Sequence, residues 1–273
     1  MGITLYTAPN CIRCKIVKSF LAERGQPYDI VDFKGDAETF NTFYRTNRKA
    51  IYRNPEGVEF PLFHDGKVIK QGSGEVIAYL LSGHLLEACV TRSDMLHGKI
   101  AGLYPSQCPD GQEENFMNLV EHLAVGGLQV WLQTDGRKPE LLEHLLRIRD
   151  VHVICNVIGG PEVTAKIFGG VASKEELAKT IELVCGTADG IVRFLVIPLP
   201  DGDGWAWPKR EDAVEAAKMV AMACDQPTLP YGITPITREM AWDMHGLDPL
   251  PEQNLLLYRS AARQYLFKAD IAK

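Results

Sequence analysis

The sequence predicts an α/β protein of two domains. Its 273 residues are too many for one small domain and fit about two. Short apolar runs alternate with helical patterns along most of the chain. Near residue 115 the pattern changes, from a mixed arrangement closed by an antiparallel hairpin to a plain strand–helix alternation, which implies a mostly parallel sheet. The boundaries read from the chain are 1–84 for the first domain, 85–114 for a linker, and 115–273 for an α/β domain with an open sheet or partial barrel.

In the first domain Ile3 to Thr7 reads as a short buried strand. Residues 11–24 read as a helix, with Ile12, Val17, Phe20 and Leu21 near helical spacing and Gly25 as its stop. Pro27 to Asp32 alternates like a second strand, and Asp36 to Asn47 looks helical. Glu59 to His64 and Lys67 to Gln71 are two strands joined by an Asp65-Gly66 hairpin turn, and Ser73 to Leu81 is a helix that Gly83 ends. The order β-α-β-α-β-β-α is that of the thioredoxin-like fold.

Leu85 to Val90 extends a helix, and Tyr104 to Gly111 is rich in turn formers, as a linker would be. Beyond it, strands are expected over 128–134, 151–158 and 191–197, and helices over 139–146, 174–185, 209–223 and 255–267.

The charged fraction is 23% and the net charge −6, which argues against a general nucleic-acid binder. Residues 1–83 hold 11 Lys and Arg against 9 Asp and Glu, so the acidic excess lies in the remainder. No apolar run approaches the ~20 residues that span a bilayer. Met1 to Tyr6 leads into a strand with neither a basic n-region nor an apolar h-region, so a cytoplasmic protein without membrane partners is expected. Of seven cysteines only Cys11 and Cys14 are close in sequence. Mostly free thiols in a reducing compartment are therefore expected, with Cys155 as buried packing.

Cys11-Ile12-Arg13-Cys14 sits between a strand and a helix. A helix N-terminus offers free N–H groups and a partial positive charge, and Arg13 and Lys15 add cations; all favour a thiolate at Cys11. Cys14, one turn on, can resolve a mixed disulfide formed at Cys11. Two inert thiols or a metal site are the other readings, but zinc needs two further ligands at matching spacing and no second pair is present. His97, His122, His144, His152 and His245 show no metal spacing.

Tyr6-Thr7-Ala8-Pro9-Asn10-Cys11-Ile12-Arg13-Cys14-Lys15 resembles the glutaredoxin signature. Phe60-Pro61-Leu62-Phe63 resembles that family's cis-proline segment, and Gly72-Ser73-Gly74-Glu75 its stretch that receives the γ-glutamyl carboxylate of glutathione. Likeness covers about residues 3–83, with Ile12-Arg13 where Pro-Tyr is common and Glu75 where Asp is usual. The resemblance implies Cys11 and Cys14 as catalytic thiols and a cis Phe60–Pro61 bond. It further implies that Arg13, Phe60, Pro61, Gly72, Ser73, Gly74 and Glu75 bind substrate or glutathione, the reductant. Arg45, Arg48, Lys49 and Arg53 are either further carboxylate contacts or a solvated basic face.

Residues 115–225 resemble part of the barrel of radical S-adenosylmethionine activating enzymes, through Leu128 to Gly136 with Pro139 to Leu142, and Ile191 to Pro198. The family's Cys-x-x-x-Cys-x-x-Cys and Gly-Gly-Glu stretches are missing, so no iron–sulfur cluster is expected and the half reads as a binding module. Gly159-Gly160-Pro161 and Gly169-Gly170 are read as turns rather than phosphate cradles, and Asp201 to Pro208 as a turn with an aromatic lid.

The expected function is a cytosolic thiol–disulfide oxidoreductase that reduces disulfides of a partner protein, recognised through the C-terminal domain. Two alternatives stand beside it: a glutathione-dependent iron–sulfur cluster carrier, and a non-catalytic subunit of a larger redox complex.

Overall fold

The computed structural model of the chain describes residues 2–54, 57–91, 98–168, 173–236 and 243–272. Pro55, Glu56, His97 and the Gly169-Gly170 pair named above lie outside them. The chain divides into two compact units, Met1–Leu132 with His144–His152, and Gln133–Glu143 with Val153–Lys273.

The first unit opens with β1 (Ile3–Thr7), α1 (Ile12–Glu23), β2 (Tyr28–Asp32) and α2 (Ala37–Thr46). A hairpin of β3 (Arg53–Asn54) and β4 (Gly57–Val58) precedes β5 (Leu62–His64), β6 (Ile69–Gln71) and α3 (Gly72–Ser82). The four-stranded sheet has the order β2-β1-β5-β6. β1 and β2 are parallel, while β5 pairs antiparallel with both β1 and β6.

Local chemistry accounts for these elements. Buried Ile16, Val17, Phe20 and Leu21 fall on one face of α1, which stops where Gly25 takes a positive φ. Asp36 caps α2 by accepting from the Thr39 N–H, and Phe40 and Phe43, three residues apart, turn one face of that helix to the core with Tyr6 and Leu62. Asp65 holds the β5–β6 turn by accepting from the N–H groups of Lys67 and Val68 at 2.9 and 2.8 Å.

The described residues of the stretch 85–114, read as a linker, are packed. Leu86, Cys89, Val90, Leu103 and Cys108 are buried, and β7 (Lys99–Leu103) pairs parallel with β8 (Gln129–Thr134). Its turn formers make a 3-10 turn at Pro105–Gln107 rather than a free tether. Between β7 and β8 lies α4 (Glu113–Val125), whose buried Phe116, Leu119, Val120 and Leu123 have plain helical spacing.

The remaining elements are α5 (Pro139–Leu145), β9 (Val151–Val157), α6 (Pro161–Phe168), α7 (Lys174–Cys185), β10 (Ile191–Val196), β11 (Leu199–Asp201), β12 (Gly204–Ala206), α8 (Arg210–Cys224), β13 (Tyr231–Pro235), α9 (Glu252–Ala262) and β14 (Ala269–Ile271). A six-stranded sheet has the order β14-β13-β10-β9-β8-β7. The pairs β9–β10, β10–β13 and β13–β14 are parallel, so the chain is a mixed α/β protein with a mostly parallel sheet. In the second unit Val192, Phe194 and Val196 are buried on one face of β10, and the Phe194 ring meets Tyr258 of α9 edge-on at 5.8 Å. On the other face a polar row crosses three strands: Arg193 Nε donates to Asn156 Oδ1 at 2.6 Å, and Asn156 Nδ2 to Gln133 Oε1 at 3.1 Å.

One expectation about cysteine is corrected here. Cys185 and Cys224, read as isolated thiols, end α7 and α8 with their sulfurs at bonding distance and their Cα atoms 6.1 Å apart. Packing of the two helices brings together residues 39 apart in sequence, which no local pattern reveals. Cys89, Cys108 and Cys155 are buried and belong to neither pair. Burial, with Asp135 adding to it, pushes the Cys155 thiol up to about 12. No helix among the described residues is long and apolar enough to cross a membrane.

Candidate active site

Cys11 is the N-cap of α1. The chain enters the helix through Asn10, which takes a positive φ, and the Cys14 N–H donates to Cys11 Sγ at 3.1 Å. Cys14 lies one turn on, with its sulfur at bonding distance from that of Cys11 and the Cα atoms 5.3 Å apart. The two thiols differ in access. Cys11 is half-buried, whereas Cys14 is 2% exposed. An incoming sulfur can therefore reach Cys11 first, and Cys14 is placed to act from behind it.

The second wall of the site comes from the segment before β5. The Phe60 carbonyl oxygen lies 4.0 Å from Cys11 Sγ, and the Phe60–Pro61 bond is cis. The Pro61 carbonyl accepts from the N–H of Gly72 at 2.9 Å, which ties this wall to the start of α3.

Arg13 is tied to a buried carboxylate. Its guanidinium, on a residue 7% exposed, donates from Nη1 to Glu59 Oε1 at 2.6 Å and from Nη2 to the Lys99 carbonyl at 2.8 Å. The carboxylate offsets the charge of this cation, while the N-terminus of α1 and the donated Cys14 N–H face Cys11 Sγ directly. In the sequence Glu59 marks only the start of a strand. A lone acidic residue beside Val58, Phe60 and Leu62 was the signal that it needed a buried partner.

Gly72 and Gly74, assigned to a ligand, have structural reasons of their own. Gly72 has φ +78°, and a Cβ there would lie 2.5 Å from Glu59 Oε1. A Cβ on Gly74 would press on Val90 at 3.1 Å and Ile100 at 3.3 Å. Glu75 accepts from the backbone N–H of Gln71 at 3.1 Å and so caps its own helix. Ser73 is fully buried, and its hydroxyl has no hydrogen-bond partner among the described residues.

Phe60 also borders a cavity of about 610 Å³ whose walls include Phe33, Phe40, Asn41, Tyr44 and Arg53. The Phe60 ring lies 5.1 Å from that of Phe33 and 5.6 Å from that of Phe40, so the walls form one aromatic cluster. Phe60 is the one aromatic of this lining that the sequence marks as a site residue; Phe33, Phe40 and Tyr44 carry no local signal.

The other sequence candidates have ordinary surroundings. A Cβ on Gly160 would collide with the Glu215 carboxylate, so close packing accounts for that glycine. Trp205 stacks on His245 at 3.5 Å, and Asp201 pairs with Lys209 at 3.2 Å. His152 stacks on Trp131 at 4.7 Å, and His122 meets Glu23 at 3.3 Å.

No protein-family model matches the chain, and no curated protein matches it. Among solved structures, an O-GlcNAc hydrolase mutant from Thermobaculum terrenum aligns with 74% of this chain at 9% identity and a TM-score of 0.28. The chain spans 44% of that protein's length. A likeness that slight carries no argument about fold or activity.

Proposed function

We propose that the chain is a thiol–disulfide oxidoreductase whose first unit works as a glutaredoxin-like, thioredoxin-fold module. The observation that carries this reading is the asymmetric cysteine pair: an accessible Cys11 capping α1, and a buried Cys14 one turn on with its sulfur at bonding distance. The sheet order β2-β1-β5-β6 and the Phe60 carbonyl beside Cys11 support it.

In the reduced state the N-terminus of α1 stabilises a Cys11 thiolate. The thiolate attacks one sulfur of a partner protein's disulfide; that bond breaks, and the leaving thiolate takes up a proton. A mixed disulfide joins Cys11 to the partner. Deprotonated Cys14 then attacks Cys11 Sγ, forming the Cys11–Cys14 disulfide and releasing the partner's second thiolate. Two thiols of the protein are oxidised and one disulfide of the partner is reduced. Two molecules of a low-molecular-weight thiol, with glutathione as the candidate, return the pair to the dithiol.

The test is turnover of a protein disulfide under thiol recycling. Cys11→Ser should abolish it. Cys14→Ser should accumulate a mixed disulfide visible by mass spectrometry. Full activity of Cys14→Ser would replace the dithiol route with a monothiol one, and full activity of Cys11→Ser would remove the assignment.

A further inference from the structure

The aromatic cavity bordered by Phe60 has no part in the exchange chemistry itself, and Arg53 in its lining is exposed, with no ion-pair partner among the described residues. We propose that this cavity holds a bulky aromatic side chain of the partner protein, one or two residues from its disulfide cysteine, while Arg53 pairs with a carboxylate of the same segment. The inference rests on the thiol–disulfide reading above and adds the substrate class to it.

Position comes first. Attack places the partner's sulfur against Cys11 Sγ. Phe60 joins that point to the cavity, because its carbonyl lies 4.0 Å from Cys11 Sγ while the residue also lines the cavity. Ala8, three residues before Cys11, lines it too. Extended chain advances about 3.3 Å per residue, so the cavity is within reach of the residues flanking the partner's cysteine.

Size and chemistry come next. About 610 Å³ lies within the ordinary range for ligand pockets and exceeds what a methyl or isopropyl group fills. Phe33, Phe40, Tyr44 and Phe60 offer ring faces and edges, which suit another ring in offset or edge-to-face contact. Arg53 is the charged member of the lining, and a guanidinium at an apolar rim is best matched by a carboxylate, which it can grip with two hydrogen bonds. Asn41 supplies an amide for the partner's main chain. The neighbours of cysteine in glutathione are a glutamyl and a glycyl group, and neither fills an aromatic cavity. A protein segment should therefore be preferred over a glutathione mixed disulfide.

The experiment uses the full chain and synthetic peptide disulfides. The reference peptide carries Phe on each side of its Cys and Glu next beyond. One comparison peptide has Gly for each Phe, and another has Lys for each Glu. The expected kcat/KM is about tenfold higher for the reference than for the Gly peptide, the scale of burying one aromatic side chain. It should be about threefold higher than for the Lys peptide, and Arg53→Gln should remove that charge preference. Tyr44→Ala should shrink the Phe-over-Gly ratio. Arg53→Gln, at an exposed position, keeps the test valid if Tyr44→Ala fails to fold. Equal rates for the Phe and Gly peptides would overturn the cavity assignment and leave the redox reading standing. Failure to reduce any of the peptides, or a small aliphatic disulfide, would overturn the redox reading itself.

Discussion

Arg13 and Glu59, 46 residues apart, form a buried ion pair at 2.6 Å, and the Glu59 carboxylate lies where a side chain on Gly72 would have to go. One carboxylate, on the residue before Phe60, thus meets both Arg13 between the two cysteines and the first residue of α3. Removing one partner of such a pair leaves an uncompensated buried charge, at a cost of about 3–5 kcal/mol. Arg13→Met and Glu59→Gln should each lower the urea midpoint substantially. The double variant should lose much less than the sum, and additive losses would show that the pair is not coupled.

Cys11 should react faster than Cys14 with iodoacetamide in the reduced protein, because it is the more accessible thiol and it accepts the Cys14 N–H. Its rate should already be high below the ordinary thiol value of about 8.5, where a free thiol is mostly protonated. Mass spectrometry of partly alkylated protein across a pH series reads both. Faster modification of Cys14 would reverse the two roles.

The Cys185–Cys224 pair should act as a staple between the ends of α7 and α8 when oxidised. Closing a loop of that length stabilises by up to about 4 kcal/mol in the chain-entropy account. Cys224→Ser should therefore unfold at lower urea than the parent under oxidising conditions. The difference should vanish in excess dithiothreitol, where both proteins lack the bond. A gap that survives reduction would point to packing at Cys224 instead.

Asp65 gives a pH dependence. Partial burial acts to raise its carboxyl, but the N–H groups of Val68 and Lys67 and the Tyr79 hydroxyl outweigh it and hold the group below its usual value. A lowered folded-state value means that the stabilisation is complete above the unfolded value of about 3.9 and is lost as pH falls through the folded one. Asp65→Ala should therefore cost stability at neutral pH, by about 1 kcal/mol for a turn of this kind, and little at low pH. An equal deficit at both would assign the loss to turn propensity alone.

Much of the first unit was legible because its signals are local. The strand before Cys11, the Asp65-Gly66 turn and the stops at Gly25 and Gly83 are set by periodicity, turn chemistry and φ preference within a few residues. The Cys11/Cys14 pair was legible for the same reason, since a spacing of three at a helix start is a local fact. Helix α4 has the same kind of local signal in Phe116, Leu119, Val120 and Leu123, although no helix is among the expectations for that stretch.

Only the tertiary structure decided the partners. It gave Arg13 to Glu59, joined Cys185 to Cys224, paired β7 with β8 inside the expected linker, and added the short strands β13 and β14 to the sheet. It also set Phe33, Phe40, Tyr44 and Phe60 at the edge of one core cluster, where they line a cavity. The physical reason is common to all of these. Local sequence sets which backbone conformation is cheap, whereas the choice of partner for a buried charge, a thiol or a strand edge depends on which distant surfaces pack together. That choice is made by the burial of apolar area over the whole unit, and no short window of residues contains it.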